Sequence, residues 1–158
     1  MVADSRISSP EYRINDRDER PWGNYVVTGI GLNGREEFCE KRIMVYPGRI
    51  LSLQSHEHRR ETWKVEKGAL TVILDGERIE LYAGHGLHIP RGSIHCMANP
   101  GSGICVVHEK QEGLCREEDI RRYVDAYGRE TERSSLSAVN NSIAVYRAIL
   151  SELENKAA

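Results

Sequence analysis

The residues best suited to chemistry lie in the stretch LSLQSHEHRRETW, which begins at Leu51. If residues 51–58 form a strand, alternate side chains share a face, so Gln54, His56 and His58 project to one side. Glu61 follows after a short turn and adds a carboxylate oxygen. Nitrogen and oxygen donors without a thiolate suit zinc, manganese, iron, cobalt or nickel. The stretch therefore predicts a site for one divalent metal ion, with zinc as the first candidate.

Composition excludes several other kinds of protein. The four cysteines form no C-x-x-C pair, which argues against a thiolate zinc site and a redox dithiol. With 22 basic and 24 acidic residues and no basic tract, the chain is not expected to bind nucleic acid. No run approaches the roughly 20 apolar residues of a membrane helix, and the N-terminal segment is polar where a signal peptide is apolar. We expect a cytoplasmic protein without membrane contact.

The elements that must position the histidines are predicted to be short strands. At 158 residues the chain has the length of one domain. Turn signals recur about every 8 to 12 residues between positions 21 and 113, as in all-β sandwiches and barrels. One of them, Asp75-Gly76, suits a type I′ turn between Ala69–Leu74 and Arg78–Tyr82. We predict a polar arm over residues 1–20, a β-barrel over residues 21–116 and a helical segment over residues 117–158.

Two stretches of that last segment, residues 117–127 and 136–153, have helical patterns. Apolar side chains recur in the second at helical spacing: Leu136, Val139, Ile143, Tyr146, Leu150 and Leu153. This stripe is expected to pack on the barrel or on a second subunit. Because open sheet edges also favour pairing between chains, we predict a homodimer.

Two spaced patterns in the chain resemble the motifs of the cupin superfamily. The first motif, G-x5-H-x-H-x4-E-x6-G, is matched by Gly48, Gln54, His56, Glu61 and Gly68, with Gln54 in place of the first histidine. The second, G-x5-P-x-G-x2-H-x3-N, is matched at every fixed position by Gly84, Pro90, Gly92, His95 and Asn99. The resemblance implies a jelly-roll barrel, the double-stranded β-helix of cupins, followed by C-terminal helices. It also implies a metal bound inside by Gln54, His56, Glu61 and His95.

A rival alignment of the first motif uses His56 and His58 as its two histidines. That choice leaves two residues before Glu61 and seven after Gly48, which breaks the motif on both sides. We favour the alignment through Gln54, in which His58 is an occasional ligand, a proton carrier or a neighbour of the ligands.

Further segments resemble one branch of the cupins, the C-terminal isomerase domain of type II mannose-6-phosphate isomerases. These segments are RPWGNY from Arg20, the stretch from Lys41 to Gly68, HIPRGSIHCMANPG from His88 and EEDIRRYVDAYGR from Glu117. In that family a mannose-1-phosphate guanylyltransferase domain usually precedes the isomerase domain. The resemblance implies a stand-alone, metal-dependent sugar-phosphate isomerase that interconverts mannose 6-phosphate and fructose 6-phosphate.

The resemblance also suggests roles for individual residues. Isomerisation through an enediol needs a base, and His58 is the first candidate, with Glu109 the runner-up. A sugar phosphate needs cations, and arginine can bind phosphate in two-pronged fashion. The candidates for this contact are Arg59, Lys41, Arg91 and Arg129.

The chain departs from the family pattern at His88, Thr62 and Cys96, where the family usually has Tyr, His and Arg. The missing arginine weakens the assignment to mannose 6-phosphate in particular. Three alternatives therefore stay open: a non-catalytic sugar-binding cupin, an isomerase of another sugar, and an iron-dependent oxygenase. The glutamine in the motif makes the oxygenase the least favoured.

Overall fold

The structure, a computed structural model, describes residues 12–128 and 137–157. Twelve strands precede a helix in this part of the chain. The strands are β1 (Arg17–Arg20), β2 (Gly23–Asn33), β3 (Glu36–Val45), β4 (Arg49–Ile50), β5 (Leu53–Ser55), β6 (Arg59–Lys67), β7 (Ala69–Leu74), β8 (Glu77–Tyr82), β9 (Gly86–Ile89), β10 (His95–Asn99), β11 (Cys105–Gly113) and β12 (Arg121–Val124). The helix, α1, spans Ser137–Ala157.

The strands form two antiparallel sheets whose inner faces share one apolar core. The first sheet has the order β1-β2-β3-β11-β6-β9. The second has the order β12-β5-β10-β7-β8, with β4 paired to β10. Both sheets contribute to the core, which contains Trp22, Ile43, Val45, Leu51, Trp63, Val65, Leu70, Val72, Leu81, Ile89, Met97, Cys105 and Val107. The two sheets therefore enclose a barrel interior.

The interior changes from apolar to polar along neighbouring strands of the first sheet. Inward positions alternate with outward ones, as the two-residue repeat of a strand requires. On β11 the buried residues change from Cys105 and Val107 to Glu109 and Gln111. Cross-strand register aligns Glu109 with Lys41 on β3 and with Trp63 on β6. Because the change falls at the same level on adjacent strands, one end of the barrel is filled by apolar side chains and the other is polar.

Helix α1 covers the outer face of the second sheet. Its buried residues Val139, Tyr146, Ile149 and Leu153 share an apolar cluster with residues of β5, β7 and β10. The predicted apolar stripe thus packs on the barrel, apart from Leu136, which lies outside the described residues. Among the residues that the structure describes, no helix has both the length and the apolar character of a membrane span.

Local predictions in this region have mixed outcomes. The hairpin is confirmed: β7 and β8 pair directly across Asp75 and Gly76, whose φ angles of 46° and 86° suit the expected turn. The predicted helix over residues 117–127 is wrong, because residues 121–124 form β12. This strand pairs with β5, and the pairing overrides the weak helical pattern. In the predicted arm, Arg17–Arg20 forms β1 and pairs with β2.

Candidate metal centre and ligand cavity

Three potential metal ligands meet at the polar end of the barrel. His56 follows β5, Glu61 lies on β6 and His95 begins β10. One donor atom from each lies within 4.8 Å of the others, and all three side chains are buried. The fold thus brings together three of the four ligands that the motifs imply, and we call this set the His/Glu trio.

Backbone carbonyls orient both imidazoles of the His/Glu trio. His56 Nδ1 lies 2.6 Å from the carbonyl oxygen of Asp119, and His95 Nδ1 lies 2.9 Å from that of Ser93. A carbonyl oxygen only accepts hydrogen bonds, so Nδ1 of each ring donates, and Nε2 of each ring is the nitrogen that lies towards Glu61. Metal-binding histidines are commonly held in this way. His95 Nε2 is buried without a hydrogen-bond partner, so the residues present fit a metal ion.

The protonation states at the His/Glu trio also suit a cation. Burial by itself would raise the pKa of Glu61, but His56 and Arg59 beside it lower that pKa well below its ordinary value. Burial disfavours the imidazolium form and lowers the pKa of His95 to about 4. At neutral pH the trio therefore offers an ionised carboxylate and a neutral imidazole, which are the forms that bind metal.

Gln54, the fourth expected ligand, lies opposite His95 in the register of β5 and β10. Its side chain lines the cavity described below, and its Oε1 accepts a hydrogen bond of 3.0 Å from the Ser52 hydroxyl. The residue is near the His/Glu trio, and its role as a ligand stays a prediction.

His58 does not share the face of His56, because the predicted strand over residues 51–58 is wrong. Strand β5 ends at Ser55, and the chain turns before β6 begins at Arg59. His58 is 57% exposed and lies 3.8 Å from Glu57. The turn is held by the Asp119 carboxylate, which accepts the backbone N–H groups of Glu57 and His58 at 3.1 and 3.0 Å. The side chain of His58 is therefore outside the ligand set.

An open cavity leads to the His/Glu trio and reaches it at His95. Four cations line it: Arg20, Lys41, Arg59 and Arg122. Aromatic rings, carboxyl groups and amides also line it: Trp22, Tyr25, Trp63, Glu109, Glu117, Gln54 and Gln111. Cations outnumber carboxyl groups, so the cavity favours an anionic ligand.

Glu109 lies buried in the cavity wall. It accepts hydrogen bonds from Trp63 Nε1 at 3.2 Å and from Gln111 Nε2 at 3.0 Å. Burial, together with repulsion from Glu61, raises the pKa of Glu109 to about 8. Glu109 is therefore mostly protonated at neutral pH and adds little negative charge to the cavity.

The structure separates the four cations predicted to bind phosphate. Lys41 lies in the cavity. Arg59 does too, but its guanidinium is buried against the His/Glu trio, 3.1 Å from both His56 Nε2 and Glu61 Oε1. Arg91 is exposed outside the cavity and bonds Glu36 at 2.8 Å. Arg129 lies outside the described residues.

Sequence reasoning missed four residues of this region: Arg20, Glu117, Asp119 and Arg122. Each lies in a segment that carried the family resemblance. No spacing rule connects these residues to the histidines, however, because they come from β1, β12 and the loop before β12.

The fold is that of the cupins. KdgF from Halomonas sp. superposes with a TM-score of 0.55 and 17% identity, over 65% of this chain and 89% of that chain. An RmlC-like cupin from Shewanella frigidimarina gives a TM-score of 0.55 and 18% identity, over 70% of this chain and 96% of that one. At such identities the likeness establishes the fold alone. It confirms the predicted all-β cupin barrel, with one C-terminal helix in the described residues instead of several.

Residues 8–125 match the family described as "Mannose-6-phosphate isomerase C-terminal", and the chain belongs to this family. It is 36% identical over 120 residues to mannose-1-phosphate guanylyltransferase of Escherichia coli K12, covering 75% of this chain and 24% of the relative. It is 41% identical over 114 residues to the alginate biosynthesis protein AlgA of Pseudomonas aeruginosa, covering 72% and 23%. The chain thus spans about a quarter of the length of these curated relatives.

These relatives correct the predicted activity. Their names refer to guanylyl transfer, alginate biosynthesis and, for XanB of Xanthomonas campestris, xanthan biosynthesis. None of these three names refers to isomerisation; the word isomerase enters through the description of the family. The prediction that the chain is a mannose 6-phosphate isomerase is therefore wrong, as is the assignment to aldose–ketose isomerases as a class.

Proposed function

We propose that this chain is a metal-binding cupin domain that binds a phosphorylated mannose in its cavity. The metal is one divalent ion held by His56, Glu61 and His95 with Gln54 beside them, and zinc is the expected ion, before manganese, cobalt, nickel and iron. This proposal follows the sugar-binding alternative left open by the sequence. The bound metal would supply a Lewis-acidic centre for oxygen atoms of the ligand.

The observation that carries the proposal is the position of the cations beside the His/Glu trio. Arg20, Lys41, Arg59 and Arg122 line the same cavity that reaches His95. Guanidinium groups recognise phosphate through paired hydrogen bonds, and a partly enclosed site strengthens such contacts. A small ligand that carries both hydroxyl groups and a phosphate therefore suits this cavity.

The remaining lining supports a sugar. Trp22 and Tyr25 present aromatic surface, which can pack against the apolar face of a sugar ring. Glu109 is mostly protonated at neutral pH, because its pKa is about 8, so it can both donate and accept hydrogen bonds with hydroxyl groups. The names of the relatives make mannose 1-phosphate the first ligand to test.

The test is calorimetric titration of the zinc-loaded protein with mannose 1-phosphate, mannose and inorganic phosphate. Mannose 1-phosphate should bind at least about tenfold more tightly than either fragment, because it makes both sets of contacts. Removing zinc should weaken that binding. If mannose 1-phosphate produces no binding heat, or binds no better than inorganic phosphate, the proposal is wrong.

Neighbouring arginines on β12 provide a matched control. Arg122 lines the cavity, whereas Arg121 is exposed and lies 3.4 Å from Glu57. Arg122→Met should weaken mannose 1-phosphate binding roughly tenfold, because the loss of one charge-assisted hydrogen bond changes an affinity by about that factor. Arg121→Met should leave it unchanged. Equal effects of the two substitutions would argue against the cavity as the binding site.

Two further parts of the proposal concern the protein in the cell. We expect a homodimer, because β1 and β9 end the first sheet with unpaired edges in the described residues. Light scattering would measure its mass. A cytoplasmic location also stays a prediction.

A further inference from the structure

One carboxylate at the cavity wall is surrounded by groups suited to a phosphate. Glu117 Oε1 accepts a hydrogen bond from the Tyr12 hydroxyl and lies 3.4 Å from that of Tyr25. Lys41 Nζ is 3.7 Å from the same oxygen, and Arg20 Nη2 is 4.0 Å from Oε2. Two cations and two hydroxyl donors thus converge on a single anionic group.

The cationic partner Lys41 is held firmly in this position. Its side chain is 6% exposed and projects inward from β3. The ammonium group lies 4.0 Å from the ring centre of Tyr12 and 4.3 Å from that of Tyr25. Such cation–π contacts stabilise a desolvated ammonium group, but a buried charge still requires an anion. In the described part of the chain, Glu117 is the carboxylate that pairs with it.

Glu117 differs from Lys41 in exposure, since 41% of its side chain faces solvent. The backbone on both sides of it is fixed. Arg116 bonds Glu37 at 2.9 and 3.0 Å, and Asp119 holds the turn after β5. Displacement of the carboxylate by a ligand would therefore require rotation of the Glu117 side chain and not an opening of the loop.

We propose that Arg20, Lys41, Tyr12 and Tyr25 form the phosphate position of the ligand cavity, and that Glu117 occupies it as an internal competitor until the ligand displaces it. This inference rests on the proposed function and specifies where the phosphate binds. All four side chains can donate to a phosphate oxygen, and the two tyrosine hydroxyls already donate to the Glu117 carboxylate. A phosphate carries more negative charge than a carboxylate, so it gains more from the same two cations.

The charge of Glu117 gives the competition a consequence for selectivity. Burial would raise the pKa of Glu117, but Lys41, the Tyr12 hydroxyl and Arg20 together leave that pKa below its ordinary value. Glu117 is therefore ionised at neutral pH. A phosphate must displace this ionised carboxylate to bind, whereas a neutral sugar need not, so Glu117 lowers the affinity for phosphorylated ligands alone.

The test is Glu117→Gln, which removes the charge and keeps the shape of the side chain. The zinc-loaded variant should bind inorganic phosphate and mannose 1-phosphate roughly tenfold more tightly than the unmodified chain, because one ionic competitor is gone. Its affinities for mannose and for zinc should not change. Glu112→Gln is the matched control: Glu112 lies on β11 and pairs with Arg60 at 3.1 Å, away from the cavity lining. This control should bind phosphate as the unmodified chain does.

A second variant tests the cation directly. Lys41→Met keeps an unbranched side chain and should lose phosphate affinity roughly tenfold, while Lys64→Met, an exposed change on β6, should not. Unchanged phosphate affinity in both Glu117→Gln and Lys41→Met would overturn the inference, even if mannose 1-phosphate binds well. The proposed function fails separately. It is wrong if the unmodified chain and every variant bind mannose 1-phosphate no more tightly than inorganic phosphate.

Discussion

The two ends of the cavity are built in different ways. At the metal end, His56, Glu61 and His95 are buried and oriented by strands and backbone carbonyls. At the cation end, Lys41 is fixed, but its partner Glu117 is partly exposed and lies on a loop. Rigid donors preserve one geometry for one ion, whereas a partly exposed carboxylate can be displaced by an anionic ligand. Substitutions should therefore separate metal binding from ligand selection.

The largest effect is expected from His95→Ala at the metal end. In small domains the free energy of zinc binding is about 10 to 16 kcal/mol, shared among roughly four ligands. Loss of one ligand should therefore weaken zinc binding more than about a hundredfold. The variant should retain no zinc after dialysis, as measured by elemental analysis. Retention of one zinc ion per chain would refute the assignment of the His/Glu trio.

His88→Ala is the control for that experiment. His88 lies on β9 of the first sheet, and its side chain is exposed outside the cavity lining. Its removal should leave zinc content unchanged, although it lies in the same stretch of sequence as His95. Loss of zinc in both variants would show that the effect comes from general destabilisation.

A smaller effect is expected from Asp119→Ala, because Asp119 acts on the metal end through its neighbours. Its carboxylate holds the turn that carries His56. Changes to groups that orient metal ligands typically reduce affinity about 10- to 100-fold. Zinc affinity, measured by competition with a chelator, should fall within that range. Asp16→Ala, which removes a comparable exposed contact to the Arg13 N–H, should have no effect.

The same contrast explains what the sequence could predict. At the metal end, His56 and Glu61 stand out because they lie close together in the chain, whereas His95 is indicated only by the resemblance to the second cupin motif. The barrel and its hairpins follow from regular turn signals. The hairpins and the His56–Glu61 pair depend on residues close together in the chain, where local geometry determines position.

The cation end depends on contacts between distant segments. Arg20, Lys41 and Glu117 are far apart in the sequence, and only the pairing of β1, β2 and β3 and the course of the loop before β12 bring them together. The end of β5 at Ser55 and the existence of β12 also depend on tertiary pairing. The activity could not be read from the motifs either, because one barrel fold serves many functions.

The smallest effect is expected from a substitution at the outer face of the barrel. Such a substitution tests whether a loss of protein stability by itself alters binding at either end of the cavity. Tyr146 on α1 is fully buried, and its hydroxyl accepts the backbone N–H of Ala126 at 3.1 Å. Tyr146→Phe should cost about 1 kcal/mol of the free energy of unfolding, which lowers the melting temperature by roughly 2 to 4 °C for a chain of this size. Tyr82→Phe, at an exposed tyrosine, should leave the melting temperature unchanged.

Zinc content and phosphate affinity should match the unmodified chain in both variants, because α1 packs on the face of the sheet opposite the cavity. If Tyr146→Phe altered zinc or phosphate binding, the effects at the two ends would have to be attributed to the stability of the whole barrel.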